Sequence, residues 1–489
     1  MAPRDNIVEL PPQASRIGGA WVTGSAWIDV NDPATGAIIG RVPNLGAEET
    51  ERAVTAATGA MPAWAARTAA ERADILRAWH ALVLSKRTWL ARLLTLEQGK
   101  PIVEAEAEID YAAAYILWFA EEARRVYGEI IPAPTGDTRI LVLRQPVGVV
   151  GAITPWNFPA AMITRKLAPA VAAGCGVVLK PAIETPFTAI ALIDLAEQAG
   201  IPAGLLNLVT GDAEPIGAVL TTDPRVRKIS FTGSTAVGAR LFAQSASTMK
   251  RLGLELGGNA PFVVFEDADL DAAVTGAIQA KFRNAGQTCV CADRFYIQQS
   301  IYPAFIERFA AAMAHLRSGS GFAPGVTIGP VIHERALTRL EKLIEEAMQS
   351  GARLLCGGTR SKGAGTFLEP TLLCDVDHSM RIVSDEVFGP IAAVMPFADE
   401  AEVIERCNAS EAGLAAYFYA RDHARIWRVA EAIEAGMIGV NTGRISTEVA
   451  PFGGVKSSGI GREGSRHGIE AFCELKYVCL DIGSGEKAA

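Results

Sequence analysis

The sequence predicts an α/β protein with two regions of parallel sheet, and three observations carry that reading. The chain has 489 residues, too many for one hydrophobic core, so two or three domains are expected. From Val147 onward, short apolar runs alternate with stretches of helical spacing. The same alternation resumes near Glu255 and runs to about Ile445. A strand–helix rhythm of this kind implies parallel sheets covered by helices on both faces.

Composition narrows the function classes. The chain is 49% hydrophobic and 20% charged, ordinary usage for a globular protein. Its formal net charge of −8, without a dominant basic patch, argues against a nucleic-acid partner. No run reaches the roughly 18 apolar residues of a membrane span. Residues 1–19 carry charges, prolines and glycines rather than a secretory apolar core. The eight cysteines form no CxxC pair and the six histidines are scattered, so no metal site is expected. Reduced thiols and a cytoplasmic location follow.

In chain order, residues 18–42 read as short strands, with turn chemistry at Asn31-Asp32-Pro33 and Thr35-Gly36. Residues 47–127 read as helical. Thr68 and Glu71 make a capping box, behind which Ile75, Trp79, Leu82 and Val83 recur at core-packing intervals. Residues 129–145 suggest two strands about the turn Thr135-Gly136-Asp137. Four strand–helix units follow. Their strands are VGVVGAIT, GVVLK, LLNLVT and KISFTG, and the last helix begins at Ser234. In the second region VVF, RFYIQ, GARLLCGG, PIAAVMPF and AAYFYA read as strands, and the tail LKYVCLDI as a final one.

Five constellations carry chemistry. Thr154-Pro155-Trp156-Asn157-Phe158-Pro159 stands where a strand gives way to a helix, the position at which parallel sheets bind ligands. An Asn there can aim its amide at a developing oxyanion. Taken alone, a helix-capping Asn before proline is the stronger reading. Phe231-Thr232-Gly233-Ser234, with Gly238 beyond, is a strand–turn–helix whose helix N-terminus favours a phosphate; alone it is also a tight turn. Glu255-Leu256-Gly257-Gly258 offers a carboxylate that strand alternation sets opposite Leu254 and Leu256, where partial desolvation would make it a base.

Cys289, in Arg283-Asn284-Ala285-Gly286-Gln287-Thr288-Cys289-Val290-Cys291, follows a polar, Gly-bearing loop. That setting suits a reactive thiol, and its own N–H can serve an oxyanion. Cys175, inside AAGCGVV, reads as a buried filler. The fifth group is Asp385-Glu386-Val387-Phe388-Gly389-Pro390 with Pro451-Phe452-Gly453-Gly454, either of which alone is ordinary turn sequence.

Together and in this order, WNFP, FTGS, ELGG, GQxC, EVFGP and PFGG resemble the aldehyde dehydrogenase superfamily along essentially the whole chain. The resemblance implies an aldehyde-dehydrogenase-like α/β fold: a Rossmann-type cofactor domain (residues 1–127 and 147–254), an α/β catalytic domain (255–446) and a small β oligomerisation extension (128–146 and 470–489). It implies a homo-oligomer, dimer or tetramer. By the same resemblance Cys289 is the nucleophile, Asn157 and the Cys289 N–H hold the oxyanion, and Glu255 activates the water that hydrolyses a thioester. Lys180 and Glu386 resemble ribose-binding residues, Phe388 the aromatic beside the nicotinamide, and Trp156, Gly233 and Ser234 contacts to the adenosine and pyrophosphate half.

Within the superfamily, Phe158–Lys166, Cys289-Val290-Cys291, residues 415–421 and 441–454 are most similar to succinate-semialdehyde dehydrogenases. The matching carboxylate-binding positions are Arg165, Arg283 and Ser446, and charge-assisted donors suit a buried carboxylate. Two residues depart from the pattern. Arg444 replaces a commonly aliphatic residue. It either favours a longer or more acidic semialdehyde, with glutarate semialdehyde as the main rival, or faces solvent. Ile183 replaces a Glu that accepts bonds from the adenosine ribose, so NADP is expected to be accepted alongside NAD, with Lys180 as its cation. Cys291 is either a redox partner of Cys289 or a small packing residue. Two other classes stay open: a non-catalytic superfamily member, against which Cys289, Glu255 and Asn157 all stand, and an acylating enzyme using coenzyme A, against which Glu255 stands.

Overall fold

The computed structural model describes residues 8–361 and 363–483. The sequence readings for residues 1–7 and 484–489 lie outside these. Two large sheets and one small one organise the chain. In the first, five parallel strands stand in the order Leu206–Leu208, Val177–Lys180, Val149–Ile153, Val226–Thr232, Arg251–Glu255. Antiparallel edges close it, Ser15–Ile17 with Ala20–Val22 on one side and Gly459–Ile460 on the other. After Val149–Ile153 the chain lays its next two strands on one side and the following two on the other. That reversal opens a crevice at the carboxyl ends of the strands, where such sheets take dinucleotides. Residues 154–157 and 232–234 lie at this edge.

The strand from Arg251 ends on Glu255 itself, so the expected domain boundary at 254/255 falls inside the last of the five parallel strands. The second sheet has seven strands and is parallel except for its first pair. Two of its members, Thr371–Cys374 and Met437–Val440, are absent from the sequence reading. Each has four residues and no alternation marks it; Thr371–Cys374 is buried throughout. The third sheet pairs Cys473–Asp481 with Thr138–Pro146 in nine-residue antiparallel register, with Glu129–Ile131 on its edge.

The helices follow their sequence signals. Thr68 and Glu71 form the capping box: the Thr68 hydroxyl accepts from the Glu71 N–H at 3.2 Å, and the Glu71 carboxylate from the Thr68 N–H at 2.7 Å. Trp79 and Val83 are fully buried behind it, with Ile75 and Leu82 at the margin. Helix Ala161–Ala173 is buried on every face, as an almost wholly apolar helix must be. Arg165 and Lys166 therefore go into the interior with it, and each needs a partner there. No helix among the described residues is long and apolar enough to cross a membrane.

Candidate active site

A cleft of about 580 Å³ runs along the carboxyl edge of the first sheet to the second. It brings together Trp156, Asn157, Gly233, Ser234, Cys289, Glu386 and Phe388. The carboxamide of Asn157 is fixed on both sides. One Nδ2 hydrogen goes to the Gln287 carbonyl at 3.0 Å, and Oδ1 accepts from the Phe158 N–H at 3.1 Å. One Nδ2 hydrogen is left to donate elsewhere.

The Cys289 loop is held by strain and by Gln287. Asn284 and Ala285 both have left-handed backbone, φ 53° in each case. Such geometry costs an alanine about 1–2 kcal/mol and persists only where the surroundings impose it. Gln287 imposes it by donating to the Asn284 carbonyl at 3.1 Å and the Pro330 carbonyl at 3.2 Å, and by accepting from the Ile332 N–H at 2.9 Å. Gly258 lets the loop come close, since a Cβ there would stand 2.1 Å from the Cys289 carbonyl oxygen. Cys289 is half-buried, and desolvation pushes its thiol up to about 12, against the opposing pull of Arg165. Cys291 is buried instead, its thiol donating to the Lys281 carbonyl at 3.3 Å and pushed up to about 12 by burial. That geometry favours the packing role for Cys291 over the redox one.

Glu255 does not line the cleft. It lies behind it, almost wholly buried, with Oε2 unpartnered among the described residues. Gly453 of the PFGG segment packs on it: a Cβ there would lie 2.8 Å from Glu255 Oε1. Burial raises the Glu255 carboxyl well above the usual range, and the charge of Glu463 adds to this.

Glu463 is the main residue the sequence reading missed. It forms ion pairs with both Arg165 and Lys166. Burial works against its charge, but the two cations outweigh that and hold its carboxyl below the ordinary value. Nothing in Gly461-Arg462-Glu463-Gly464 marks it out locally; the only signal was that two buried cations in one helix require an anion. Arg165 is 1% exposed and stacks its guanidinium over the Phe452 ring at 4.3 Å.

A second cavity, of about 510 Å³, approaches the same loops from the other side. Phe158, the neighbour of Asn157, lines it together with Tyr111, Arg283, Arg444 and Ser446. A small void joins Arg283, Arg444 and Ser446 to Thr288 and Val290, which flank Cys289. Arg283 lies over the Phe158 ring at 5.3 Å, and its guanidinium has no hydrogen-bond or ion-pair partner among the described residues. Arg165 does not line this cavity, although the resemblance matches it with Arg283 as a carboxylate-binding position, because Glu463 holds it inward. Its Nη2 has no hydrogen-bond partner among the described residues.

The cleft suits a nicotinamide dinucleotide. Ser234 caps helix Thr235–Ser245, whose N-terminus favours phosphate. The hydroxyls of Thr154 and Thr232 are buried at the ends of neighbouring strands and have no hydrogen-bond partner among the described residues. Glu386 accepts from the Gly258 N–H at 3.0 Å, and burial pushes its carboxyl up to about 8, so it can both donate to and accept from a ribose hydroxyl. Phe388 has a left-handed backbone, φ 50°, and meets Trp156 edge to face at 5.5 Å. The two rings thus share one part of the cleft rather than its opposite ends. Arg339, also missed in the sequence, fixes this segment by donating to the carbonyls of Glu386 and Val387. Lys180 lies outside the lining. It is buried and donates to the Pro181 carbonyl at 3.1 Å, and burial lowers its affinity for a proton.

The sequence model of the Aldehyde dehydrogenase family matches residues 21–478. The chain is 55% identical over 480 residues to the NADP(+) succinate-semialdehyde dehydrogenase of Escherichia coli (strain K12), covering 98% of this chain and 99% of that one. It is 56% identical over 470 residues to the glutarate-semialdehyde dehydrogenase of Pseudomonas aeruginosa, covering 96% and 97%. The crystal structure of succinate-semialdehyde dehydrogenase from Burkholderia pseudomallei superposes with a TM-score of 0.95 at 53% identity, covering 98% and 99%.

Proposed function

Because the chain belongs to the aldehyde dehydrogenase family, we propose that it oxidises a short acid semialdehyde, succinate semialdehyde first, to the dicarboxylic acid. The observation that carries the substrate class is the unpaired Arg283 guanidinium beside Ser446, in a cavity next to the Cys289 loop. A half-buried cation without a hydrogen-bond or ion-pair partner among the described residues is stabilised by a ligand that brings the anion.

In this reading the Cys289 sulfur attacks the aldehyde carbon while its proton leaves to a base, giving a tetrahedral thiohemiacetal. The free Asn157 N–H and the Cys289 N–H stabilise its oxyanion. When bound, NAD or NADP would supply the acceptor for the hydride lost as the thiohemiacetal becomes a thioester. Trp156, Gly233, Ser234, Glu386 and Phe388 would hold that cofactor, with Lys180 proposed for its adenosine ribose. Glu255 then takes a proton from the water that hydrolyses the thioester. Arg283 and Ser446 receive the substrate carboxylate, while Arg165, held inward by Glu463, acts behind them.

A specific observation favours the longer substrate as second reading. Arg444 lines the same cavity as Arg283, is exposed, and its guanidinium has no partner among the described residues. A glutarate semialdehyde places its carboxylate farther from the thiol, towards that rim. A panel of ω-carboxy aldehydes of three to five carbons, with propanal as the uncharged control, tests both. Arg283→Ala is expected to raise KM for the acid semialdehydes about 10–100-fold and for propanal less than about threefold. Equal effects on all would sink the carboxylate clamp. Arg165→Ala is expected to lower kcat, since it removes one of the two cations paired with Glu463 beside Glu255. Run with both cofactors, the panel also tests the reading of Ile183, which predicts that NADP is used at least as well as NAD. A preference for NAD of tenfold or more in kcat/KM would refute it.

The three sheets support division into cofactor-binding, catalytic and association parts, with residues 128–146 and 470–483 as the association strands. Ile130, Leu475 and Tyr477 leave large apolar surfaces exposed on that small sheet, which supports pairing with a second copy into a dimer or tetramer. A monomer in sedimentation would overturn it. Free thiols support a cytoplasmic setting.

A further inference from the structure

One carbonyl oxygen joins the two loops that carry the proposed oxyanion donors. Asn157 O accepts from the Lys100 ammonium at 2.8 Å and from the Asn284 side-chain amide at 3.0 Å. Asn284 Nδ2 also reaches the Gln287 carbonyl, which is bonded in turn by the Asn157 carboxamide. Lys100 stands in the link between helices Arg87–Gln98 and Ile102–Ala123, far from both loops in sequence. Its side chain is 1% exposed and lies over the Phe158 ring at 4.0 Å. Its remaining partner is Glu108, at 2.5 Å, whose other oxygen accepts from the Ala160 and Ala161 N–H groups at the start of the next helix.

A buried ammonium is costly unless its partners are fixed, and these partners are. The Glu108 carboxylate is tied to the start of helix Ala161–Ala173, the ring to Phe158, and the carbonyl to Asn157. The ammonium therefore fixes where the Asn157 backbone sits relative to the Cys289 loop. From this we infer that Lys100 is a positioning residue for the oxyanion site: it sets the direction of the free Asn157 N–H by holding the carbonyl of the same residue. The inference rests on Asn157 being the oxyanion donor proposed above. An oxyanion donor displaced by about 1 Å loses on the order of 10²-fold in rate, because the donor must meet a charge that exists only in the transition state.

The experiment is a double-mutant cycle on the whole enzyme. Lys100→Met is expected to lower kcat about 10²-fold while KM for aldehyde and cofactor changes less than about threefold. Alkylation of Cys289 by iodoacetamide, which forms no oxyanion, is expected to keep its rate. Adding Lys100→Met to Asn157→Ala is expected to cost nothing further, since the first acts through the second. Lys100→Met leaves Glu108 buried and unpaired, so the variant Lys100→Met/Glu108→Gln, which removes both charges and keeps an acceptor, separates positioning from charge compensation. Its kcat is expected to stay low. Recovery to within about twofold of wild type would show that Lys100 only neutralises Glu108, and would overturn the inference. So would losses from Lys100→Met and Asn157→Ala that multiply. If Asn157→Ala lowers kcat and Lys100→Met does not, the inference falls alone. If Asn157→Ala itself leaves kcat unchanged, the oxyanion reading falls first and takes the inference with it.

Discussion

Substituting alanine for Cys289 is expected to abolish aldehyde oxidation, lowering kcat by about four orders of magnitude or more, the scale of loss when a covalent nucleophile is removed. The cleft around it is built by other residues, so cofactor binding, followed by fluorescence of the reduced form, is expected to survive. Activity within about tenfold of wild type would sink the assignment. The wild-type thiol should carry a signature as well. Desolvation pushes it up to about 12, so it is protonated through the neutral range, and the thiolate fraction rises about tenfold for each pH unit. Its alkylation rate should therefore climb from roughly pH 7 to pH 10 without levelling, whereas an ordinary thiol levels near about pH 8.5. A plateau at the ordinary position would mean that the group is not desolvated.

Replacing Glu255 by glutamine is expected to lower steady-state kcat about 10³-fold while sparing the first turnover, within the range general bases contribute. One equivalent of reduced cofactor per site should appear in a rapid burst, and the acylated Cys289 should accumulate for detection by mass spectrometry. Loss of the burst together with kcat would move Glu255 to the thiol step and remove it from hydrolysis. The pH dependence follows from the same environment. Burial and the negative Glu463 raise the Glu255 carboxyl, so its base form gains population as pH rises, and a hydrolysis-limited kcat should rise with it. Glu463→Gln removes the like charge and frees Arg165 and Lys166 to act on Glu255. Both changes lower the carboxyl, so the profile should shift towards lower pH. A profile unmoved by Glu463→Gln would mean that the two carboxyls do not interact.

Much of the site was legible because its residues are tied to local pattern. A strand ending just before Thr154, a helix start capped by Ser234 and a Gly-bearing loop before Cys289 are each written within a few residues. The structure gives reasons for motif residues whose spacing was only noted. Gly258 is required by the Cys289 carbonyl against it, and Gly453 by the Glu255 carboxylate. Short buried strands such as Thr371–Cys374 were not legible, because a strand covered on both faces shows no alternation.

The sequence by itself determined the parallel α/β architecture, the family and several of the residues that line the cleft. Periodicity, turn chemistry and motif order are properties of neighbouring residues, and they survive reading along a line. Only the tertiary structure decided how the buried charges are compensated. It joined Arg165 and Lys166 to Glu463, and Lys100 to Glu108 and the Asn157 carbonyl. It left the guanidinium groups of Arg283 and Arg444 at one cavity without a hydrogen-bond or ion-pair partner among the described residues. A buried charge is paired by whatever the fold brings within a few ångströms, and that partner stands anywhere along the chain. Cys289 could be named from its own loop; what faces and positions it could not.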